Sequence, residues 1–162
     1  MVLPINIQHL DAGPVHLVDE LRPEDLDLQS RDELIRFGGA VSYDLEVQKV
    51  DEGILIQGAV SVQVECDCAR CLRAFTRSVD LPEWAAHLAL AGDEAVPVIN
   101  DCVDLTPYLR EDILLALPQH PLCSKDCSGL LGDYGREAQS RPGKGVDEDQ
   151  TSPWGELDKL DL

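Results

Sequence analysis

The chain is poor in aromatic residues and in basic residues. Aromatic side chains make up 4% of its 162 residues, so an apolar core must be built from aliphatic side chains. The 13 lysines and arginines are outnumbered by 31 acidic residues, which sets the formal net charge at -18. A surface this acidic repels phosphate backbones at long range. The composition therefore disfavours broad, nonspecific nucleic-acid binding and favours a basic partner.

Long apolar runs and a secretion signal are also lacking. A membrane-spanning helix needs about 20 consecutive apolar residues, and no stretch of the sequence approaches that length. The first residues lack a cationic start, and Asn6, Gln8 and His9 interrupt the first apolar run. We therefore expect a cytoplasmic protein with no membrane partner. In that compartment six cysteines are expected to be reduced or metal-bound, with disulfides as the alternative.

Catalytic motifs are absent from the sequence. There is no HExxH metal site, no P-loop, no GxGxxG after a strand and no GxSxG nucleophile turn. The four histidines are scattered without a nucleophile–base pattern. We expect a protein that is not an enzyme and has no small-molecule substrate.

Alternation of apolar and polar residues predicts a β-hairpin from Val41 to Cys66, with its turn at Asp51–Gly53. Residues 4–10 have the composition of a first strand. Residues 75–90 are predicted to form a third strand, or a strand that leads into a short helix, and Pro82 makes its middle ambiguous. Residues 11–36, between the first strand and the hairpin, are acidic and contain two short stretches that suit helical turns, at 23–26 and 31–35.

The best helix signal covers residues 105–117. Apolar side chains recur there at helical spacing, Thr106 is a suitable N-cap, Pro107 suits the first helical position, and Pro118 ends the helix. Together these elements predict an α+β fold: an antiparallel, partly barrel-like sheet with one main helix and a zinc-stapled C-terminal loop.

The sequence predicts one domain over residues 1–132 and a flexible acidic tail over 133–162. Residues 136–151 are rich in glycine, proline, glutamine, serine and acidic residues, a composition typical of linkers. Trp154, Leu157 and Leu160 then follow at three-residue spacing, which suits a short amphipathic segment at the end of the tail.

Four of the six cysteines form two closely spaced pairs. Cys68 and Cys71 are separated by two residues, and Cys123 and Cys127 by three. Each spacing can aim two thiolates at one centre from a single tight turn, and two such turns complete the closed S4 shell that structural zinc prefers. We predict a structural Zn²⁺ site made of these four cysteines.

Neighbouring side chains offer alternatives to this ligand set. Cys66 would share a strand face with Cys68, so either can partner Cys71 by spacing alone, and we interpret Cys66 as a small buried side chain. His120 is close enough in sequence to replace one thiolate, although a solvent-exposed loop residue is the simpler interpretation. Cys102 stands alone and is expected to pack in the core.

A local basic patch accompanies the first cysteine pair. Arg70, Arg73 and Arg77 occur within a segment, 69–79, that contains no acidic residue. They are candidates for contact with RNA phosphates or with a partner protein at one defined place. The alternative is that they pair with the chain's own abundant carboxylates.

Several motifs in order resemble the YceD family, the large ribosomal RNA subunit accumulation proteins. They are Cys68-Ala69-Arg70-Cys71-Leu72-Arg73-Ala74-Phe75, Val103-Asp104-Leu105, the segment 111–118, and Cys123 and Cys127 followed by Ser128-Gly129-Leu130. The resemblance covers roughly residues 40–130, and the closing Pro153-Trp154 is similar to that family's terminal segment. It implies a role in 23S rRNA accumulation and large-subunit assembly. The implied partners are a basic ribosomal protein, pre-large-subunit rRNA, or both.

The chain departs from the family pattern after Cys127. Many cysteine-bearing members continue with two further cysteines, and this chain has Leu131 and Tyr134 at those positions, with Gly135 retained. Either the four remaining cysteines form a complete ligand set, or this member has dispensed with the metal. A zinc- or redox-responsive regulatory protein, whose cysteines release the metal on oxidation, is the alternative function.

Overall fold

A computed structural model describes residues 2–28 and 33–130 of the chain. The elements up to Cys127 belong to one compact unit. The predicted domain end at residue 132 and the predicted tail over 133–162 lie outside the described residues. In chain order the elements are β1 (Pro4–Asn6), α1 (Ile7–Leu10), β2 (Val15–Leu21), β3 (Ile35–Val50), β4 (Gly53–Asp67), β5 (Ala74–Ala89), β6 (Val98–Ile99), β7 (Cys102–Asp104) and α2 (Thr106–Ala116).

The predicted hairpin is confirmed as the centre of an antiparallel four-stranded sheet with the order β2-β3-β4-β5. β3 and β4 pair along nearly their whole length, from Ile35 opposite Cys66 to Val50 opposite Gly53. Alternate side chains of these strands are buried, so one face of the sheet carries the aliphatic core. The period of two in the sequence therefore identified the core-facing residues correctly.

The third predicted strand is confirmed as β5, which stays a strand across Pro82. Two features accommodate the proline. β5 lies at the edge of the sheet, where alternate backbone positions face away from the neighbouring strand and can be proline. The register also shifts there, because Pro82 and Glu83 together lie opposite the single residue Ala59, which makes a β-bulge.

The expectation of a partly barrel-like sheet was wrong. In the described residues no pairing joins the two edge strands, β2 and β5, and the sheet remains open. Four strands are too few to close around a packed interior. A second small sheet, with the order β1-β7-β6, and the helix α2 contribute buried side chains to the same core instead.

The N-terminal region also differs from its prediction. The first strand ends at Asn6, whose side chain accepts the N–H of Gln8 at 2.9 Å and caps the single turn α1. Strand β2 was not predicted, since only Val15, Leu17 and Leu21 lie on its core side and their exposure is partial. The predicted helical turn at 23–26 is a hydrogen-bonded turn, while the one at 31–35 lies partly outside the described residues.

The predicted helix is confirmed as α2, although its start differs in detail. The N-cap residue is Leu105, and Thr106 is already helical. The hydroxyl of Thr106 accepts the N–H of Leu3 at 3.1 Å, so it binds the N-terminal segment and does not cap the helix. A carboxyl oxygen of Asp104 accepts the N–H of Thr106 at 3.0 Å.

A partly buried hydrogen bond joins α2 to the main sheet. The indole N–H of Trp84, a buried residue of β5, donates to a carboxylate oxygen of Asp112 at 2.6 Å. Replacement of Asp112 by alanine leaves this donor without its partner, so we expect the free energy of unfolding to fall by about 1.5 kcal/mol. Chemical denaturation of the variant measures the loss.

Glu111 supplies the matched control for this prediction, because it lies on the same helix and is exposed. Glu111→Ala is expected to change the free energy of unfolding by less than about 0.5 kcal/mol. Equal losses in the two variants would contradict a specific contribution from the Trp84–Asp112 bond.

Within the described ranges, no helix has the length and apolar character needed to cross a bilayer.

Candidate metal centre

The first cysteine pair lies in the tight connection between β4 and β5. β4 ends at Asp67 and β5 begins at Ala74, so six residues reverse the chain. The backbone N–H of Cys68 donates to the carbonyl of Arg73 at 3.0 Å, and the N–H of Leu72 donates to the carbonyl of Cys68 at 2.9 Å. Leu72 adopts a left-handed backbone conformation with φ of 58°. These bonds hold the Cys68 and Cys71 side chains within one turn.

The second pair follows α2. Beyond the helix, the carbonyl of Pro121 accepts the N–H of Ala69 at 2.8 Å, which ties this segment to the first cysteine turn. A turn then forms where the N–H of Cys127 donates to the carbonyl of Ser124 at 3.3 Å. The guanidinium of Arg70 donates to the carbonyl of Cys127 at 3.1 Å and adds a second hydrogen bond between the two cysteine segments.

The four sulfurs of Cys68, Cys71, Cys123 and Cys127 lie within 4.8 Å of one another. The Sγ atoms of Cys68 and Cys127 are 3.8 Å apart, and those of Cys71 and Cys123 are 3.7 Å apart. A tetrahedral ion with metal–sulfur bonds of about 2.3 Å holds its sulfurs about 3.8 Å apart. Sulfurs in a disulfide are only about 2.05 Å apart. The donor set therefore fits a metal ion, and this cluster could hold one.

The surroundings of the four sulfurs are unequal. Cys68 is buried and the other three are half-buried. Hydrogen bonding from the backbone of Cys123, and then from that of Cys71, lowers the pKa of the Cys68 thiol to about 6. The hydrogen bond with Cys71, followed by desolvation, raises the pKa of the Cys123 thiol to about 12. The Cys68 thiolate thus forms readily near neutral pH, whereas the Cys123 thiol needs a nearby cation to ionise there.

The remaining candidates for the ligand set lie elsewhere. Cys66 is fully buried in the apolar core, which agrees with its interpretation as a small buried side chain. Cys102 is a half-buried residue of β7, and His120 is exposed. None of these three belongs to the sulfur cluster, which comprises four cysteines among the residues that the structure describes.

The three arginines of the predicted basic patch are all exposed around the first cysteine turn. Arg70 lies within the turn, Arg73 immediately precedes β5, and Arg77 lies on that strand. Over residues 2–28 and 33–130, no ion pair with a carboxylate involves any of the three. No carboxylate therefore neutralises their charges in this part of the chain, although Arg70 is held by its hydrogen bond to the carbonyl of Cys127.

Sequence reasoning missed two residues of this centre. Pro121 supplies the carbonyl that joins the two cysteine segments, and nothing in its local sequence marks a contact to Ala69. Leu72 is 62% exposed at the tip of the first turn, a large apolar side chain beside the arginines. Its position between Cys71 and Arg73, in a turn too short to bury it, was the available signal.

Comparison with known proteins gives one family match. A family model described as large ribosomal RNA subunit accumulation protein YceD matches residues 56–161, which is more than half of the chain. The match begins within β4, includes all four clustered cysteines, and extends through the region that contains Trp154. No solved structure matches the chain.

The curated relatives that match are mycobacterial proteins with the printed name "uncharacterized protein". Proteins of Mycobacterium bovis and of Mycobacterium tuberculosis strain H37Rv are each 32% identical over 85 residues, covering 48% of this chain and 41% of the relative. A protein of Mycobacterium leprae is 28% identical over 96 residues, covering 54% of this chain and 43% of the relative. The aligned part is thus less than half the length of these relatives.

Proposed function

The chain belongs to the YceD family, and from this premise we propose that it is a non-enzymatic factor for large ribosomal subunit assembly that supports 23S rRNA accumulation. The match of the family model over residues 56–161 is the observation that carries this proposal. We place its action in the cytoplasm, where ribosomes are assembled.

The ion proposed for the sulfur cluster is a structural Zn²⁺. Four thiolates form a closed shell of the kind that zinc prefers, and they leave no open position for a substrate or a catalytic water. Cys68 and Cys71 would hold the end of the β4–β5 hairpin, while Cys123 and Cys127 would hold the segment after α2. A closed site of this kind supports a structural role and accords with a protein that is not an enzyme.

The proposed partners are a basic ribosomal protein, pre-large-subunit rRNA, or both. The basic tip formed by Arg70, Arg73 and Arg77 is the candidate contact for RNA, because it is exposed and stands next to the metal centre. The overall charge of -18 restricts such a contact to this one place and favours basic protein surfaces elsewhere.

Deletion of the gene tests the function directly. We expect the amount of 23S rRNA relative to 16S rRNA to fall, and the tagged protein to sediment with precursors of the large subunit. Unchanged 23S rRNA in the deletion strain would refute the assembly role.

The basic tip can be tested separately. A variant in which Arg73 and Arg77 are both glutamine is expected to reduce the particle-bound fraction about fivefold, since two phosphate contacts are lost together while Arg70 keeps its hydrogen bond to Cys127. Sucrose-gradient sedimentation of the tagged variant measures this fraction. Arg22 and Lys49 lie outside the tip and have partners in Asp25 and Asp11, so their double replacement by glutamine is the control. A particle-bound fraction equally reduced by the control would show that general charge, and not the tip, controls binding.

The zinc- or redox-responsive regulator remains the second candidate, because three of the four clustered cysteines are only half-buried and can be reached by an oxidant. Metal analysis under mild peroxide separates the two roles. An assembly factor is expected to keep its zinc, whereas a regulator would release it and take it up again after reduction.

A further inference from the structure

One face of the four-stranded sheet is packed against the core, and the opposite face is open. Its side chains come from the polar phase of the alternation and include Glu20 of β2, Ser42 and Asp44 of β3, and Ala59 of β4, all exposed. Strand pairing places Val18 opposite Asp44 and Asp44 opposite Ala59. Val18, Asp44 and Ala59 therefore form one row across the three strands, and Glu20 and Ser42 belong to the next row.

A groove of about 460 Å³ lies on this open face. It is lined by residues of β2, β3 and β4, and small side chains occupy its centre, where Ser42 pairs with Ser61 and Asp44 pairs with Ala59. Val18 is 64% exposed in the groove, although a valine in a strand is usually turned towards a core. The groove therefore combines polar side chains of the middle strand, β3, with the apolar side chains of Val18 and Ala59 on either side.

The charged side chains that line the groove on the open face are acidic. They are Glu20 and Asp44, whereas Asp19 borders the groove but lies opposite the core residue Tyr43, and no lysine or arginine lines it. The imidazole Nε2 of His16 contacts the carboxylate of Asp44 at 2.6 Å and is the basic group beside it.

A further carboxylate lies in the next row of the open face. Asp80 lies opposite Ser61, where it accepts the hydroxyls of Ser61 at 2.7 Å and of Ser78 at 2.6 Å. The hydrogen bond from Ser78, followed by that from Ser61, lowers the pKa of Asp80 and keeps it ionised. Its negative charge is thereby held on the open face next to the groove.

We propose that this groove binds a lysine- and arginine-rich segment of a protein partner. The proposal rests on the proposed assembly function and identifies the surface that would hold the basic ribosomal protein. The hydrocarbon stem of a lysine or arginine can pack on Val18 and Ala59 while its cation reaches Glu20 or Asp44. The same carboxylates repel RNA phosphates and other copies of this acidic chain. The sheet thus presents an acidic surface that would bind a protein partner, and the metal centre carries the basic tip that would bind RNA.

Binding of a defined probe tests this groove in the full-length chain. The probe is a fluorescein-labelled peptide of about ten residues, alternating lysine and valine, which when extended exceeds the width of four strands. Fluorescence anisotropy measures its Kd, and a labelled glutamate–valine peptide and a labelled single-stranded RNA are measured separately as control probes. We expect only the lysine–valine peptide to bind, and its affinity to fall as salt is added.

Two charge-reversal variants make the test specific. Glu20→Lys with Asp44→Lys is expected to raise the Kd about tenfold, whereas Asp93→Lys with Glu94→Lys, in an exposed loop outside the groove, is expected to raise it less than about twofold. Both variants change the net charge by the same amount. Val18→Ser leaves the charge unchanged and is expected to raise the Kd about threefold through loss of apolar contact.

Equal weakening by the two charge reversals, no binding of the lysine peptide, or RNA binding at the groove would each overturn the proposal. Complementation of the deletion strain separates this failure from failure of the assembly function. If deletion lowers 23S rRNA but the Glu20→Lys, Asp44→Lys variant restores it fully, the groove proposal fails and the assembly function stands. If the peptide binds as expected but deletion leaves 23S rRNA unchanged, the assembly function fails.

Discussion

Replacement of Cys68 by serine is expected to abolish metal binding. The wild-type protein, purified in reducing buffer, should contain about one zinc ion per chain, and the variant should contain none above background. Cys68 is the buried member of the cluster, and the pKa of its thiol is lowered to about 6. A serine hydroxyl stays protonated near neutral pH and is a poor replacement for a thiolate ligand.

Loss of the ion should also destabilise the fold, because the metal binds only where both cysteine segments are in place. An ion present at a thousandfold excess over its Kd stabilises the native state by about 4 kcal/mol. We expect Cys68→Ser to lose a stabilisation of this size, measured by denaturation with and without a chelator. Chelator should lower the stability of the wild-type protein and leave that of the variant unchanged.

Cys102→Ser is the matched control, because Cys102 is half-buried and lies on β7, outside the sulfur cluster. This variant is expected to keep its zinc. Wild-type protein without zinc, or a Cys68→Ser variant with full zinc content, would contradict the assignment of the site.

Replacement of Gly58 by alanine is expected to produce the largest loss of stability from a single methyl group. Gly58 lies on β4 at the bulge opposite β5, with a backbone φ of 154°. A Cβ atom there would overlap the backbone carbonyl oxygen of Asp44 and lie 2.9 Å from the Cα of Leu45. Both atoms belong to the backbone of β3, so no side-chain rotation relieves the clash.

We expect Gly58→Ala to lower the free energy of unfolding by about 3 kcal/mol, because the two central strands must separate locally. Thermal unfolding should show a fall in Tm of about 10 °C for a unit of this size.

Gly39→Ala is the control for Gly58→Ala. Gly39 lies on the neighbouring strand β3, and its added Cβ would meet only the Gln63 side chain, at 3.4 Å. This change should alter stability by less than about 0.5 kcal/mol. A Gly58→Ala variant as stable as the wild type would show that the strands are not held this close in solution.

The elements that sequence reasoning identified are those with a strong local pattern. Apolar and polar residues alternate from Val41 to Val64 over two strands. The helix α2 combines apolar residues at helical spacing with prolines at its start and end. Each element was therefore evident from neighbouring residues alone. Strand β2 was not predicted because it is an edge strand with an exposed valine at its centre. The pairing of Pro4 with Asp104 joins residues a hundred positions apart, and no local signal specifies such a contact.

The candidate site divides in the same way. Spacing favoured Cys68 with Cys71 and Cys123 with Cys127 while leaving Cys66 as an alternative partner of Cys71, and the family resemblance placed both pairs in one pattern. The acidic groove was not identified, although the polar residues Ser42 and Asp44 alternate visibly with the core residues of β3. A sequence shows that such residues face away from the core, but not which strand lies beside them.

The sequence by itself determined which residues are buried in the hairpin, where the main helix lies, and which cysteines are close enough to share one turn. These properties follow from periodicity and spacing over a few residues. Only the tertiary structure decided that the sheet stays open, that Ala69 and Pro121 bring the two cysteine turns together, and that Val18 and Asp44 form one groove. The physical reason is that these contacts join distant segments, whose approach depends on the packing of the whole core.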